Sequence, residues 1–152
     1  MKLRAFFSLL IILSLVAIKA NASEWQTDYE QALATAKASG KYVLLDFTGS
    51  DWCVPCIQLN KAVFTKANFQ KYAEQNLVLV EIDFPRRKAL PDKVRQQNER
   101  LAQQYHVADS GFPTVVLLNP DGRILGQLEG YGDEKSADVI AWIEKLRGNK
   151  KS

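Results

Sequence analysis

Cys53 and Cys56 are the only cysteines in this chain, and just Val54 and Pro55 separate them. A structural disulfide stabilises mainly by closing a long loop of the unfolded chain. A bridge over two residues closes a tiny loop, so the pair is poorly placed as a staple and better placed for chemistry. Its flanks narrow the fold. Tyr42 to Phe47 (YVLLDF) is a short, nearly continuous apolar run, the pattern of a strand buried on both faces. Thr48 to Trp52 reads as a loop. From Cys53 onward, Cys56, Leu59 and Val63 recur at helical spacing, with Pro55 in the first turn, where proline is tolerated. The cysteines therefore stand where a loop leaving a buried strand opens a helix.

The rest of the chain repeats this alternation. Thr27 to Glu30 fits a capping box, with Thr27 as the cap, and Tyr29, Ala32, Leu33 and Ala36 follow at helical spacing up to Ser39-Gly40. Leu77 to Phe84 is a second strand, Pro91 to Tyr105 a polar helix, and Thr114 to Leu118 a third strand. Asn119-Pro120-Asp121-Gly122 is a strong turn signal. It joins the third strand to a fourth at Arg123 to Leu128, and Ser136 to Arg147 closes the chain as a helix. Strands separated by helices predict parallel pairing, and the hairpin adds one antiparallel edge. The fold class is α/β, a central mixed sheet flanked by helices, with an extra helix at the N-terminus.

Met1 to Ala22 has the order of a secretory signal peptide: two positive charges by Arg4, an uncharged and mostly apolar stretch from Ala5 to Ile18, then the small-x-small triplet Ala20-Asn21-Ala22. The apolar stretch is short for a membrane span, which takes about 20 residues. Cleavage after Ala22 leaves residues 23–152 as one domain. Three of the 20 basic residues, Lys2, Arg4 and Lys19, leave with the leader, so the remaining bases equal the 17 acids in number. That balance gives no footprint for nucleic acid, and no later stretch is apolar enough to anchor in a membrane. Export places the cysteines in an oxidising compartment, where such a pair can be oxidised.

A thiolate at Cys53 would face helix N-terminal amides and the positive end of the helix dipole, which lower a thiol pKa from about 8.5. Cys56, one turn on, lies within reach and further inside. An exposed attacking thiolate with a buried resolving thiol is the arrangement that disulfide exchange through a mixed disulfide requires. The alternatives are an inert disulfide or half of a zinc site. Structural zinc takes four ligands, and the chain adds only His106 to the cysteine pair, so no metal is expected.

Leu45-Asp46-Phe47, Trp52-Cys53-Val54-Pro55-Cys56 and Gly111-Phe112-Pro113-Thr114 together resemble the thioredoxin superfamily, in its exported branch. The approach Gly49-Ser50-Asp51-Trp52 is similar to that of the C-terminal domain of the bacterial transmembrane thiol reductase. The resemblance implies a thioredoxin fold and a thiol–disulfide oxidoreductase without cofactor. In it Cys53 attacks, Cys56 resolves, and a buried Asp46 moves the proton of Cys56. It also implies a cis Pro113, with Trp52, Phe112, Pro113 and Thr114 forming the surface that takes an extended partner segment. Asp46 stands one residue further from the first cysteine than in thioredoxin, which lengthens the loop between them. Glu81 stands on the adjacent strand near the place of a thioredoxin lysine; pointing inward it would raise the pKa of Asp46 further, but it is read as a solvated strand residue. Tyr131 is placed beside the site.

The basic run of Arg86, Arg87, Lys88, Lys93, Arg95 and Arg100 reads as a solvated helix and the loop leading into it. Val54-Pro55 puts no cation between the cysteines, which leans toward a reductant or general exchanger. In an oxidising compartment a reductant must be recharged, which implies a membrane thiol donor besides thiol- or disulfide-bearing protein partners, in the periplasm. A disulfide isomerase and a non-catalytic module for cytochrome maturation or metal delivery are the competing classes. Met1, the only methionine, leaves with the leader, which counts against copper delivery.

Overall fold

The computed structural model describes residues 24–148. The signal peptide expected at residues 1–22 lies outside them. The described elements run α1 (Tyr29–Ser39), β1 (Tyr42–Thr48), α2 (Val54–Leu59), a π-helical turn (Asn60–Phe64), α3 (Ala67–Asn76), β2 (Leu77–Asp83), α4 (Asp92–Gln104), α5 (Val107–Ser110), β3 (Thr114–Leu118), β4 (Ile124–Glu129) and α6 (Ser136–Gly148). The N-terminal helix starts one residue later than the capping box implies. Asp28 is its cap and accepts the Gln31 N–H at 3.0 Å, because a carboxylate there reaches the free amides of the first turn. Gly40 ends it in the left-handed region at φ 69°, which glycine adopts without a Cβ clash.

The four strands stand in the order β2-β1-β3-β4. β1 and β2 pair in parallel, Asp46 opposite Glu81 and Thr48 opposite Asp83. β3 runs antiparallel to β1, with Thr114 opposite Phe47. This corrects the parallel pairing expected for every helix-separated strand. β2 ends, and β3 begins, at the end of the sheet where β1 ends, so the connection through α4 and α5 leaves and returns at one end. A strand entering from that end can only run back along β1. β3 and β4 form the expected antiparallel hairpin.

Alternation along the two inner strands sorts their side chains between two cores. Val43, Leu45, Phe47, Val78, Val80 and Ile82 face α1 and α4, where Ala32, Leu101 and Tyr105 meet them. Leu44, Leu77 and Leu79 face the other way, against Phe64, Phe69, Val139 and Ile143 of the π-turn, α3 and α6. Both faces are dry, which explains the unbroken apolar runs in the sequence. On the second face the pattern continues into polar residues. Asp46 and Thr48 follow Leu44, and Glu81 and Asp83 follow Leu79, so the acids gather under the start of α2.

Residues 24–27 extend the sheet past β2. Gln26 N–H donates to Leu79 O, and Glu81 N–H donates to Gln26 O, each at 2.9 Å. This bridge seats Trp25 against Phe64, ring centroids 5.1 Å apart.

Candidate functional site

Cys53 caps α2, and Cys56 lies one turn inside it. The two form a disulfide with Cα atoms 5.3 Å apart, and the Cys56 N–H donates to Cys53 Sγ at 3.3 Å. A helix amide is thus aimed at the sulfur that would carry negative charge. The expected contrast of an exposed Cys53 and a buried Cys56 does not appear in the oxidised pair, since Cys53 is 5% and Cys56 4% exposed. Around the pair the surface is apolar, with Val54 62% and Ile57 47% exposed.

The loop before Cys53 is held by acids that sequence reasoning passed over. Gly49 O accepts the Cys53 N–H at 2.8 Å and the Trp52 N–H at 3.1 Å. Asp83, buried at the end of β2, accepts the Ser50 N–H at 2.9 Å and the Ser50 hydroxyl at 2.7 Å, and pairs with Lys88 at 2.9 Å. Asp51 accepts the Arg86 N–H at 2.9 Å and the Arg87 N–H at 2.7 Å. The Arg86 amide leads in holding its carboxyl below the ordinary aspartate range. An acid ending an apolar strand, as Asp83 ends LVLVEID, was the available signal. Ser50, the loop residue it holds, lies 33 residues away, where no local pattern points.

Trp52 is half-buried. Its indole N–H donates to Phe84 O at 2.8 Å, and the Arg86 guanidinium sits 3.7 Å over its ring. Phe112 meets the Trp52 ring edge-on at 6.0 Å and Phe84 at 5.2 Å. Arg86 is therefore part of the wall around Trp52, and Lys88 is an ion-pair partner, so neither belongs to a freely solvated run. Arg95, paired with Asp92 and Glu99, fits the solvated reading of α4.

The Phe112-Pro113 peptide bond is cis, as the resemblance implies. Pro113 O accepts the Gly130 N–H at 2.8 Å. Thr114 is fully buried and its hydroxyl donates to Gly111 O at 2.7 Å. Its side chain holds the loop rather than facing outward, because as the first residue of β3 it is covered on both sides. Tyr131 packs against the α2–α3–α6 core. His106 is exposed in the left-handed region at φ 55°, 4.0 Å from Asp109.

Asp46 is 7% exposed. Its Oδ1 is buried and has no hydrogen-bond partner among the described residues. It lines a cavity of about 160 Å³ together with Cys56, Thr48, Asn60, Glu81 and Trp25. Desolvation first, then the carboxylates of Glu81 and Asp83, push its pKa up to about 8. Glu81 is half-buried on the wall of the same cavity, which corrects its reading as a solvated residue. Burial leads in raising its own pKa, Asp83 adds to the rise, and Lys88 opposes it. The longer loop leaves the strand register of Asp46 intact because Ser50 and Asp51 are tied down separately.

A four-stranded mixed sheet that carries a disulfide in the first turn of the helix after its β1 strand, behind a buried aspartate, defines a thioredoxin-fold dithiol/disulfide domain. Residues 29–147 match the thioredoxin-like domain family, and the chain belongs to that family of thiol–disulfide oxidoreductases. The Chlamydia pneumoniae protein named disulfide bond reductase DsbH is 36% identical over 124 residues, covering 82% of this chain and 70% of that protein. A solved structure described as DsbH oxidoreductase superposes with a TM-score of 0.75 at 32% identity, over 86% of this chain and 88% of that one. The thiol:disulfide interchange protein DsbD of Actinobacillus pleuropneumoniae is 31% identical over 110 residues, 72% of this chain but only 17% of that much longer protein.

Proposed function

We propose that this chain is an exported thiol–disulfide oxidoreductase that reduces or exchanges disulfides of proteins outside the cytoplasm. The observation that carries the reading is the Cys53–Cys56 disulfide at the start of α2, with the Cys56 amide directed at Cys53 Sγ. In the reduced protein the Cys53 thiolate attacks a partner disulfide. A mixed disulfide forms and one partner sulfur leaves. Asp46 takes the proton of Cys56, whose thiolate attacks Cys53 Sγ, closes the pair again and releases the second partner sulfur. Two electrons pass from the dithiol to the partner.

Half-buried Trp52 and Phe112 meet edge-on, Pro113 is buried behind Phe112 in the chain, and Val54 and Ile57 stand exposed at the start of α2; together they would offer an apolar rim to an extended segment. Thr114 fixes the bend of that rim through Gly111. The partners are disulfide-bearing proteins, and a membrane thiol donor recharges the pair. The name thiol:disulfide interchange protein of one relative supports exchange, and disulfide bond reductase of another supports the reducing direction. So does the absence of a cation at Val54-Pro55, because the thiolate then relies on helix amides alone.

Equilibration against glutathione buffers tests the direction. A potential nearer about −270 mV, the thioredoxin value, than about −120 mV, that of a dedicated oxidant, is expected. Insulin reduction should vanish in Cys53→Ser. A strongly oxidising potential would reassign the protein as a disulfide donor. Export is tested by the intact mass of protein recovered outside the cytoplasm, which should begin at Ser23. Retention of Met1–Ala22 would overturn it.

A further inference from the structure

The proposed resolving step needs Asp46 ionised at the moment Cys56 gives up its proton, yet the surroundings of Asp46 favour its neutral form. The structure shows what stands across from it. β1 and β2 place Glu81 in register with Asp46 on the same sheet face, and both carboxyls line the cavity that also reaches Cys56. A polar cavity of about 160 Å³ has room for several waters, each taking roughly 30 Å³. A proton can pass between the two carboxyls there without direct contact. Asp46 Oδ1, buried and without a protein partner among the described residues, is the atom left to use that space.

The other charged groups near the pair are few. Asp83 follows Glu81 on the same face of β2, one register step away, and its charge is paired with Lys88 and bonded to Ser50. From α2, Cys56 is the titratable wall residue, and Trp25 from the N-terminal segment is neutral. No cation is paired with Asp46 or Glu81 among the described salt bridges. Lys88 is the cation that acts on Glu81, and its charge is already taken up by Asp83; two carboxylates sharing a site with so little counter-charge retain one proton between them.

We infer that Glu81 is a positioning residue for the resolving step, forming with Asp46 a carboxyl pair that shares one proton across the cavity. With the proton on Glu81, Asp46 is the free base. It takes the Cys56 proton as the Cys56–Cys53 bond forms and the partner thiolate leaves. The excess proton then departs to solvent past half-buried Glu81. This rests on the reading of Asp46 as the base of an exchange reaction.

The test uses the reduced protein and 5,5′-dithiobis(2-nitrobenzoate), which releases one coloured thiolate on Cys53 attack and a second on resolution by Cys56. The second phase of the wild type should rise with pH in two steps, the signature of a coupled pair. Glu81→Gln should give a single step with its midpoint lowered by on the order of one pH unit, and leave the first phase unchanged. Glu81→Lys should lower the midpoint further. Superimposable profiles for wild type and both Glu81 variants, with Asp46→Asn still altering the second phase, overturn the role of Glu81 and leave Asp46 as the base. A second phase that Asp46→Asn leaves unchanged overturns both. A first phase as fast in Cys53→Ser as in the wild type overturns Cys53 as the attacking group, and with it the proposed order of attack and resolution.

Discussion

At Asp46, ionisation and folding oppose each other. The carboxyl titrates at 3.8 when free and at about 8 in the fold, with desolvation as the leading cause. Between those values the folded protein holds a proton that the unfolded chain has lost. Linkage then makes stability fall as pH rises: the contribution is fully present below 3.8 and lost through about 8. Asp46→Asn keeps the shape and removes the charge. It should raise the melting temperature at every pH above about 5, by more at pH 8 than at pH 5, and flatten the decline between them. At roughly 1.4 kcal/mol per pKa unit, the gain at pH 8 is on the order of several kcal/mol. Thermal unfolding at the two pH values checks this, and an equal gain at both would show that Asp46 is already ionised in the fold. A residue that lowers stability at neutral pH, yet stands beside the disulfide, is placed for chemistry rather than for folding.

At the scale of elements, the loop from Thr48 to Cys53 is built around an indole. A Cβ on Gly49 would lie 2.5 Å from Trp52 Cε2, closer than real Cβ contacts allow. The ring has little freedom to yield, since Phe84 O holds its N–H, Arg86 covers one face and Phe112 meets it on another side. Gly49→Ala should displace Trp52 from Phe84 and Phe112. The cost is about 1–3 kcal/mol, the range for overpacking. Urea unfolding reads the loss, and slower attack of Cys53 on a disulfide probe reads the lost rim. Unchanged values for both would mean that the loop shifts as a whole to accept the methyl. The second support of this loop is β2, whose last residue, Asp83, fixes Ser50. Asp83→Ala leaves those donors unpaired at a cost of about 1–3 kcal/mol. Hydrogen exchange at Ser50 and Trp52 should rise more than in β3. Unaltered protection would show that Asp51 alone holds the loop.

For the whole molecule, the sheet divides the interior into two cores that share strands β1 and β2. Leu44 and Leu45 are neighbours in sequence, both fully buried, and they point into opposite cores. Each Leu→Ala change should cost about 2–5 kcal/mol. Unfolding followed by far-ultraviolet dichroism and by tryptophan fluorescence should remain one coincident transition in both variants. Separate transitions would mean that the two cores unfold independently. Among the described residues no helix is long and apolar enough to cross a membrane.

Local pattern was enough to read the strands, most helices and the placement of Cys53 and Cys56, because periodicity and turn chemistry act between near neighbours. The family resemblance supplied the cis Pro113 and the buried Asp46. The π-helical turn went unread, since i→i+5 bonding, as from Thr65 N–H to Asn60 O at 3.0 Å, leaves no mark in composition. The direction of β3 was misread as parallel, because it depends on which end of the sheet the connection returns to. Asp83 beneath Ser50 and Arg86 over Trp52 were equally hidden, and only the fold decided between an inward and a solvated Glu81 opposite Asp46. Each contact joins segments about 30 or more residues apart, and only strand register brings them together. Neighbouring residues alone set where the cysteine pair stands and which elements carry it. The tertiary structure decided the electrostatics around that pair, because the charges that act on Asp46 arrive from a neighbouring strand.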